Sequence, residues 1–470
     1  MSDTRSAALA FAAENRGQFR ARLDELIAIP SISTDPEYHH AIERAAHWLA
    51  DELRRLGATA VEILPTDGKP IVWGEIPAGA PAGTADGGTA EKAPTILVYG
   101  HYDVQPVDPV ELWHSEPFVA TERDGALYAR GASDMKGQVM ATLSALDAIR
   151  SAGPLPVNVR FLFEGEEEIG SPSLQKSIEQ YGDRFAADLC LNPDTGMIAP
   201  DLPTITYGLR GLAYFEVRLR GPAHDLHSGI FGGAVENPAH ALCDLIAGLH
   251  DENGRVTLPG FYERVRELTQ EERDELARLP MDDEFYLKQT GAPRLYGESG
   301  YTVTERIGAR PTLEINGMVS GFTGKGAKTV LPSTAMAKIS TRLVPDQDPG
   351  EVRDMLSAYF DAFVPPTMKH EIEVISLGPP LITERDNRGN RALAAALEAV
   401  WGSKPMFKRE GGSVPVSTYL SRQLGVPSVL TGFGLPDDNL HAPNEKLDLP
   451  TWYRGIDALI HFFYNVAAQW

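Results

Sequence analysis

Residues 95–104 read Thr95-Ile96-Leu97-Val98-Tyr99-Gly100-His101-Tyr102-Asp103-Val104. The run begins with β-branched and apolar residues and closes at a glycine, which is typical of a buried strand. His101 and Asp103 follow at its end, and residues two apart on an extended chain point the same way. The spacing lets His101 bind a metal while Asp103 approaches its other ring nitrogen. Taken alone, however, the pair is explained better as a histidine at a strand end beside a solvated aspartate than as part of a metal site.

Composition limits the size, the partners and the compartment of the protein. The chain has 470 residues, enough for two domains, and carries 65 acidic against 43 basic residues, a net charge of −22. This balance argues against nucleic acid or an anionic membrane as partner and predicts a soluble protein. The N-terminal stretch lacks the apolar core of a signal peptide, and no window is long enough to span a bilayer. Cys190 and Cys243 lie in apolar surroundings and predict a reducing compartment, here the cytoplasm.

Strands and helices alternate over the first two hundred residues. Helices are predicted over 38–56 and from about 137 to 150, and strands over 61–64, 71–73, 95–100 and 157–163. Alternation with polar residues at strand ends predicts an α/β fold with a mainly parallel sheet and a site along one edge. Residues 77–92 are rich in Ala, Gly, Pro and Thr and predict a flexible surface loop, to which we assign no chemistry.

The pattern changes near residue 209. Residues 215–220 alternate apolar and charged side chains, which is typical of a strand with one solvated face. Further elements are predicted as helices over 238–249 and 351–363, a charged helical arm over 262–278, and strands over 335–344 and 372–375. We therefore expect an α/β domain built from residues 1–208 and 378–470, interrupted by an α+β domain over 209–377.

Side chains that bind metals follow successive strands of the first domain. They are His101, Asp134, the pair Glu167-Glu168 and Asp194, and the last segment adds His441. Two histidines and several carboxylates at one sheet edge suit two divalent metals bridged by a carboxylate and a water. The alternatives are ordinary, since an acidic triplet usually faces solvent and Gly-x-x-Asp often caps a helix. However, three adjacent carboxylates between an apolar strand and Gly170-Ser171 would repel one another, and a cation would relieve that repulsion.

At these residues the chain resembles the M20 metallopeptidase family, most closely its cytosolic non-specific dipeptidase (carnosinase-like) branch. The matching stretches are 100–106, 131–137, 164–171, 225–229, 328–332, 409–413 and 441–446. Several spaced motifs in the family's order make the resemblance specific. It implies a zinc-peptidase-like catalytic domain with an inserted lid and dimerisation domain.

The resemblance also implies a role for each metal-site residue. Asp134 would bridge two ions, His101 and Asp194 would complete one of them, and Glu168 and His441 the other. Glu167 would be the general base, Asp103 would orient His101, and a cis peptide would follow Asp134. Glu166 is an acid where related dipeptidases can carry methionine, so base and ligand are assigned by their spacing from Gly170-Ser171. The two ions per chain are expected to be zinc, with manganese or cobalt as alternatives.

Substrate contacts are implied in the same way. The free carboxylate of a dipeptide would meet Arg342, Thr329, Gly412 and Ser413, and an arginine fork can bond both of its oxygens. The alternative for Arg342 is a surface charge on the solvated face of its strand. His227 would act across a homodimer as an oxyanion donor in the partner's site, although by sequence alone it fits a loop histidine.

Three functions are compatible with these residues. The first is a metal-dependent dipeptidase, a hydrolase acting on small peptides. The second is an N-acyl-amino-acid deacylase or carboxypeptidase of the same family, which the metal site does not separate from the first. The pairing of segments 207–211, 225–229 and 409–413 favours the dipeptidase. A non-catalytic metal-binding protein is the third, and the presence of the base and all five ligands argues against it.

Overall fold

The structure is a computed structural model that describes residues 2–79, 93–412 and 415–470. It separates into two compact units. The first unit contains residues 1–207, 383–407 and 414–470, and the second unit contains residues 208–382 and 408–413. The chain changes unit after residues 207 and 382, whereas the predicted boundaries follow residues 208 and 377. The short segment 408–413, predicted in the first domain, belongs to the second unit.

Strands and helices of the described residues have the following bounds. The strands are β1 Ala60–Leu64, β2 Ile71–Ile76, β3 Thr95–His101, β4 Thr121–Arg123, β5 Ala126–Tyr128, β6 Asn158–Glu164, β7 Leu189–Asn192, β8 Thr204–Leu209, β9 Gly211–Arg220, β10 Leu226–His227, β11 Thr312–Ser320, β12 Val330–Leu331, β13 Thr334–Leu343, β14 Lys369–Gly378, β15 Leu381–Ile382, β16 Met406–Glu410, β17 Ser428–Leu430 and β18 Lys446–Asp448. The helices are α1 Ser2–Glu14, α2 Arg16–Ile27, α3 His39–Arg55, α4 Lys136–Ala152, α5 Leu174–Phe185, α6 Ser228–Phe231, α7 Pro238–Ala247, α8 Gln270–Ala277, α9 Asp283–Thr290, α10 Val303–Ala309, α11 Pro349–Phe363, α12 Arg388–Trp401, α13 Pro415–Leu424 and α14 Leu449–Gln469.

The largest sheet of the described residues runs in the order β1-β2-β6-β3-β7-β17-β8-β15, with β16 also paired to β8. Its central strands β6, β3, β7 and β17 are parallel, whereas β1, β2 and β15 at the edges pair antiparallel. Residues 96–101 of β3 are fully buried, as expected for a central parallel strand covered on both faces. The predicted α/β class is confirmed. Because β3, β6 and β7 are parallel, their carboxyl ends meet at one edge.

The second unit is built around an antiparallel sheet in the order β11-β13-β9-β14. Apolar residues alternate along β9 and β13, and their buried side chains form one core with those of α7 and α11. Helix α7 begins at the predicted residue, and α11 begins two residues before its predicted start. Asn237 and Asp348 accept backbone hydrogen bonds at the N-termini, and each is followed by a proline. A separate ribbon pairs β10 with β12.

Some expectations do not hold, or lie outside the described residues. The arm over 262–278 is helical only over Gln270–Ala277, because the side chain of Thr269 accepts the amide of Glu272 and starts the helix there. Cys190 is buried, but Cys243 is exposed, since it lies on a face of α7 turned away from the core. Residues 80–92 of the predicted loop lie outside the described residues. Among those that are described, no helix has the length and apolar character needed to cross a membrane.

Candidate metal centre

His101 is the last residue of β3 and is fully buried. Its Nδ1 lies 3.1 Å from the carbonyl oxygen of Asp103 and 3.5 Å from Oδ1 of the same residue. Its Nε2 lies 3.1 Å from Oδ1 of Asp134. One ring nitrogen is therefore held by the chain that follows the strand, and the other faces the acidic groups.

Asp134 lies at the end of the turn that precedes α4. The peptide bond between Asp134 and Met135 is cis, so that expectation is confirmed. Oδ1 faces His101, and Oδ2 lies 3.0 Å from Nε2 of His441. Each oxygen of this carboxylate thus faces a different histidine.

The three glutamates of the acidic turn after β6 have different hydrogen-bond partners. Glu166 points away from the histidines, because Oε1 accepts the amide of Lys69 (2.9 Å) and Oε2 that of Ser173 (3.2 Å). Glu167 and Glu168 begin a short 3₁₀ turn whose amides donate to the carboxylate of Asp103 at 3.2 and 3.0 Å. Asp103 therefore holds the acidic turn as well as the ring of His101.

Glu168 and Asp194 complete the cluster. Oε2 of Glu168 lies 3.3 Å from Nε2 of His441 and accepts a 2.7 Å hydrogen bond from the side-chain Nε2 of Gln105. Oδ1 of Asp194 lies 3.8 Å from Nε2 of His101. One ligand atom from each of His101, Asp134 and Glu168 lies within 4.8 Å of the others, so these three form a candidate metal site.

The electrostatics of the cluster suit a bound cation. Burial, with Asp134 nearby, raises the pKa of Glu168 to about 8. Burial also raises the pKa of Glu167 well above its usual range, and the charges of Asp194 and Glu168 add to this. At Asp134 burial acts in the same direction, but hydrogen bonds from the two histidines outweigh it and lower the pKa. Partly buried carboxylates at such separations are stabilised in their ionised form by divalent cations, and imidazole with carboxylate is a donor set that zinc and its neighbours accept.

Residues 97–465 match the model of peptidase family M20/M25/M40. The chain belongs to this family. It is 32% identical to a Cys-Gly metallodipeptidase of Candida albicans over 96% of this chain and 95% of the relative. It is 33% identical to the human Beta-Ala-His dipeptidase over 96% and 91%. The crystal structure of an M20 family metallo-carboxypeptidase from Sulfolobus solfataricus superposes with a TM-score of 0.85 at 34% identity, covering 96% of this chain and 99% of that one.

This M20/M25/M40 peptidase carries the other predicted site residues in its second unit. His227 is exposed at the end of β10, opposite Val330 of β12, and the amide of Ser228 donates to the carbonyl oxygen of Thr329 (3.1 Å). The ribbon thus brings His227 and Thr329 together. Arg342 is partly buried on β13, and burial lowers its pKa. Gly412 is exposed after β16, and Ser413 lies outside the described residues.

Three residues beside the peptidase cluster were not predicted from the sequence. They are Gln105, Asp438 and Glu445, the last two being buried carboxylates on either side of His441. Gln105 and Glu445 lie inside the matching stretches 100–106 and 441–446. A single glutamine or a single glutamate has no spacing pattern from which its role could be predicted. The available signal was the pair of acids that flanks a candidate ligand.

Proposed function

We propose that this M20/M25/M40 peptidase is a dipeptidase, which hydrolyses the peptide bond of dipeptides with a free C-terminal carboxylate and depends on two divalent cations. The observation that carries the proposal is the carboxylate of Asp134, whose two oxygens lie 3.1 and 3.0 Å from the Nε2 atoms of His101 and His441. A carboxylate between two separate ligand groups suits a pair of ions. Two relatives similar over nearly the whole chain are named as dipeptidases.

Five side chains would hold the two ions. Asp134 would bridge them, with His101 and Asp194 completing one and Glu168 and His441 completing the other. Bound cations supply Lewis acidity, which lowers the pKa of water and polarises a carbonyl group. The nitrogen and carboxylate donors favour zinc, with manganese and cobalt as alternatives.

Glu167 would be the general base. Its amide is held by Asp103, and a carboxylate in this place can accept a proton and later release it. The carboxylate would take the proton of the attacking water as the carbon–oxygen bond forms. It would then donate that proton to the amine that leaves as the peptide bond breaks.

The first unit would be the catalytic domain, and the second unit the lid and dimerisation domain. Arg342, Thr329, Gly412 and Ser413 would bind the free carboxylate of the substrate. His227 would stabilise the oxyanion in the partner's site of a homodimer. Its Nδ1 accepts the amide of Gly229 (3.0 Å), so the ring proton resides on Nε2, which is the nitrogen that a donor role requires. A cytoplasmic location stays a prediction.

A second function is favoured by one observation. The Sulfolobus structure that superposes on 96% of this chain is described as a metallo-carboxypeptidase. Removal of a C-terminal residue from a longer peptide uses the same metal chemistry and the same carboxylate anchor. Peptide length therefore separates the two functions.

The test is a substrate panel with defined metals. Protein loaded with zinc, manganese or cobalt is assayed on Cys-Gly, β-Ala-His, their C-terminal amides, tripeptides and N-acetyl amino acids. We expect dipeptide hydrolysis that a chelator abolishes and added metal restores, with a higher KM for the amides because the carboxylate anchor is lost. Preferential cleavage of tripeptides would establish the carboxypeptidase, preferential cleavage of N-acetyl amino acids the deacylase, and chelator-resistant turnover would exclude the metal mechanism.

A further inference from the structure

The loop that carries His441 has an unusual backbone. Asn439, His441 and Asn444 have φ values of 56°, 61° and 62°, in the left-handed region that non-glycine residues seldom adopt. Such conformations persist where surrounding contacts impose them. The side chain of His441 is 56% exposed, so its position depends strongly on the loop that holds it.

Glu445 anchors one end of this loop. The residue is fully buried, and its carboxylate accepts four hydrogen bonds. Oε2 accepts from Nη1 of Arg130 (2.7 Å) and from the amide of Gly131 (3.0 Å). Oε1 accepts from the amides of Ser133 and Asp134, both at 3.0 Å. Three of the four donors are backbone groups of the turn that ends in Asp134.

Asp438 anchors the other end and reaches the same turn. It is also fully buried, and Oδ2 accepts the hydroxyl of Ser133 (2.8 Å) and the amide of Leu435 (2.8 Å). Asp438 and Glu445, the carboxylate pair, therefore lie on either side of His441 and both bind the turn of Asp134. The carboxylate pair therefore joins the loop of His441 to the turn of Asp134, and one of its members lies on each side of His441 in the sequence.

We propose that Glu445 is a positioning residue, which sets Asp134 and His441 at the separation that metal binding requires. The inference rests on the proposed function and deepens it. If Glu445 formed only the ion pair with Arg130, its role would be to stabilise the fold. Its carboxylate also binds the amide of Asp134 itself. Because three of the hydrogen bonds are made to backbone groups, they fix where the turn lies and so where both oxygens of Asp134 point.

The main test is Glu445→Gln. The amide keeps the shape but has a single acceptor oxygen, and its NH₂ group would face backbone donors. Groups that orient metal ligands are worth 10- to 100-fold in metal affinity, so we expect a loss of about that size for Zn²⁺ or Mn²⁺ in competition with a chelator. Glu445→Asp, which retains the charge on a shorter side chain, should have an intermediate affinity.

Glu52→Gln is the matched control. Glu52 is an equally buried carboxylate of the first unit, paired with Arg22 and with Arg55 (2.8 Å) on the helical layer. Its substitution should lower the Tm of the metal-free protein but leave metal affinity unchanged. Equal losses of metal affinity in Glu52→Gln and Glu445→Gln would show a general stability effect and would overturn the positioning role.

Amide hydrogen exchange of the wild-type protein keeps the inference testable if Glu445→Gln does not fold. The amides of Gly131, Ser133 and Asp134 should exchange slowly without metal, and exchange at the rate of open loops would overturn the inference. Wild-type metal affinity in a folded Glu445→Gln variant would overturn it alone. A wild-type protein that binds no divalent metal would overturn the proposed function and this inference with it.

Discussion

The two units carry their candidate functional groups in opposite environments. In the first unit His101 and Asp103 are fully buried and share their surroundings with Asp134 and Glu167. In the second unit His227 is exposed, and the contact its ring makes is a local one to the amide of Gly229. Burial and neighbouring charge give the first set the environment that the proposed chemistry requires within one chain. An exposed histidine acquires a comparable environment only when another surface covers it, which is why a partner enters the proposal for His227 alone.

Substitution of Glu167, the proposed general base, should have the largest effect. Glu167→Ala should keep both metals and lower kcat by about 10²–10⁴ or more, the contribution of general acid–base catalysis. Steady-state kinetics and metal analysis measure the two properties separately. Glu284→Ala, which removes an exposed acid of α9 in the second unit, is the control and should behave as wild type. Loss of one metal, or near-normal turnover, would mean that a neighbouring glutamate is the base and that the role assigned to Glu167 is wrong.

His227→Ala should have the next largest effect. Removal of one oxyanion donor costs about 10²–10³ in kcat in a known hydrolase, and metal content should not change. His224→Ala removes an exposed histidine three residues earlier and serves as the control. Subunit exchange between His227→Ala and Glu167→Ala should restore activity, because a mixed dimer contains one site with both residues intact. Mixed dimers no more active than their parents would refute action across the interface.

Metal affinity should rise with pH between 6 and 8. Glu168 has a folded-state pKa of about 8, raised first by burial, so in the metal-free protein protonation favours the folded state. That stabilisation is complete below the ordinary pKa and is lost as pH rises through about 8. Because a bound cation displaces the proton, affinity should increase by about tenfold per pH unit for each proton released, then level off.

Calorimetric titration in buffers of different ionisation enthalpy measures the protons released. Asp457→Asn is the control, since burial on α14 raises the pKa of Asp457 to about 6 without placing it among the candidate ligands. Its metal affinity should follow the same pH curve as that of the wild type. Affinity independent of pH would contradict the proton displacement and place Glu168 outside the metal site.

Chemical labelling of the two cysteines should also distinguish the two units, and it should have the smallest effect on activity. Exposed Cys243 in the second unit should react with a thiol reagent in the native protein. Cys190 in the first unit should react only on unfolding, because it is buried and burial raises its pKa to about 12. We expect one labelled thiol per chain, two in denaturant, and unchanged kcat after native labelling. Two native thiols would mean that the central sheet opens readily around β7.

Much of the fold and of the candidate site could be predicted because the signals are local. The apolar run before His101 predicts a buried strand, the alternation over 215–220 predicts a half-buried one, and both are present. The carboxyl ends of parallel strands share an edge, so the order of the elements already indicates that His101, Asp134 and Glu168 lie close together. The helix predicted over 262–278 was too long, because charge and periodicity do not reveal where a cap such as Thr269 starts the helix.

Tertiary structure alone decided where the acids of the site point. Glu166 turns from its neighbours because it binds the amide of Lys69, 97 residues away in sequence. Glu445 binds the amide of Asp134, 311 residues away, and so joins the two loops that carry Asp134 and His441. Sequence determined the kinds of candidate ligand and their order along the chain, since strand periodicity and glycine turns are local properties. The direction of a side chain in a turn depends on hydrogen-bond partners that only the folded chain brings together.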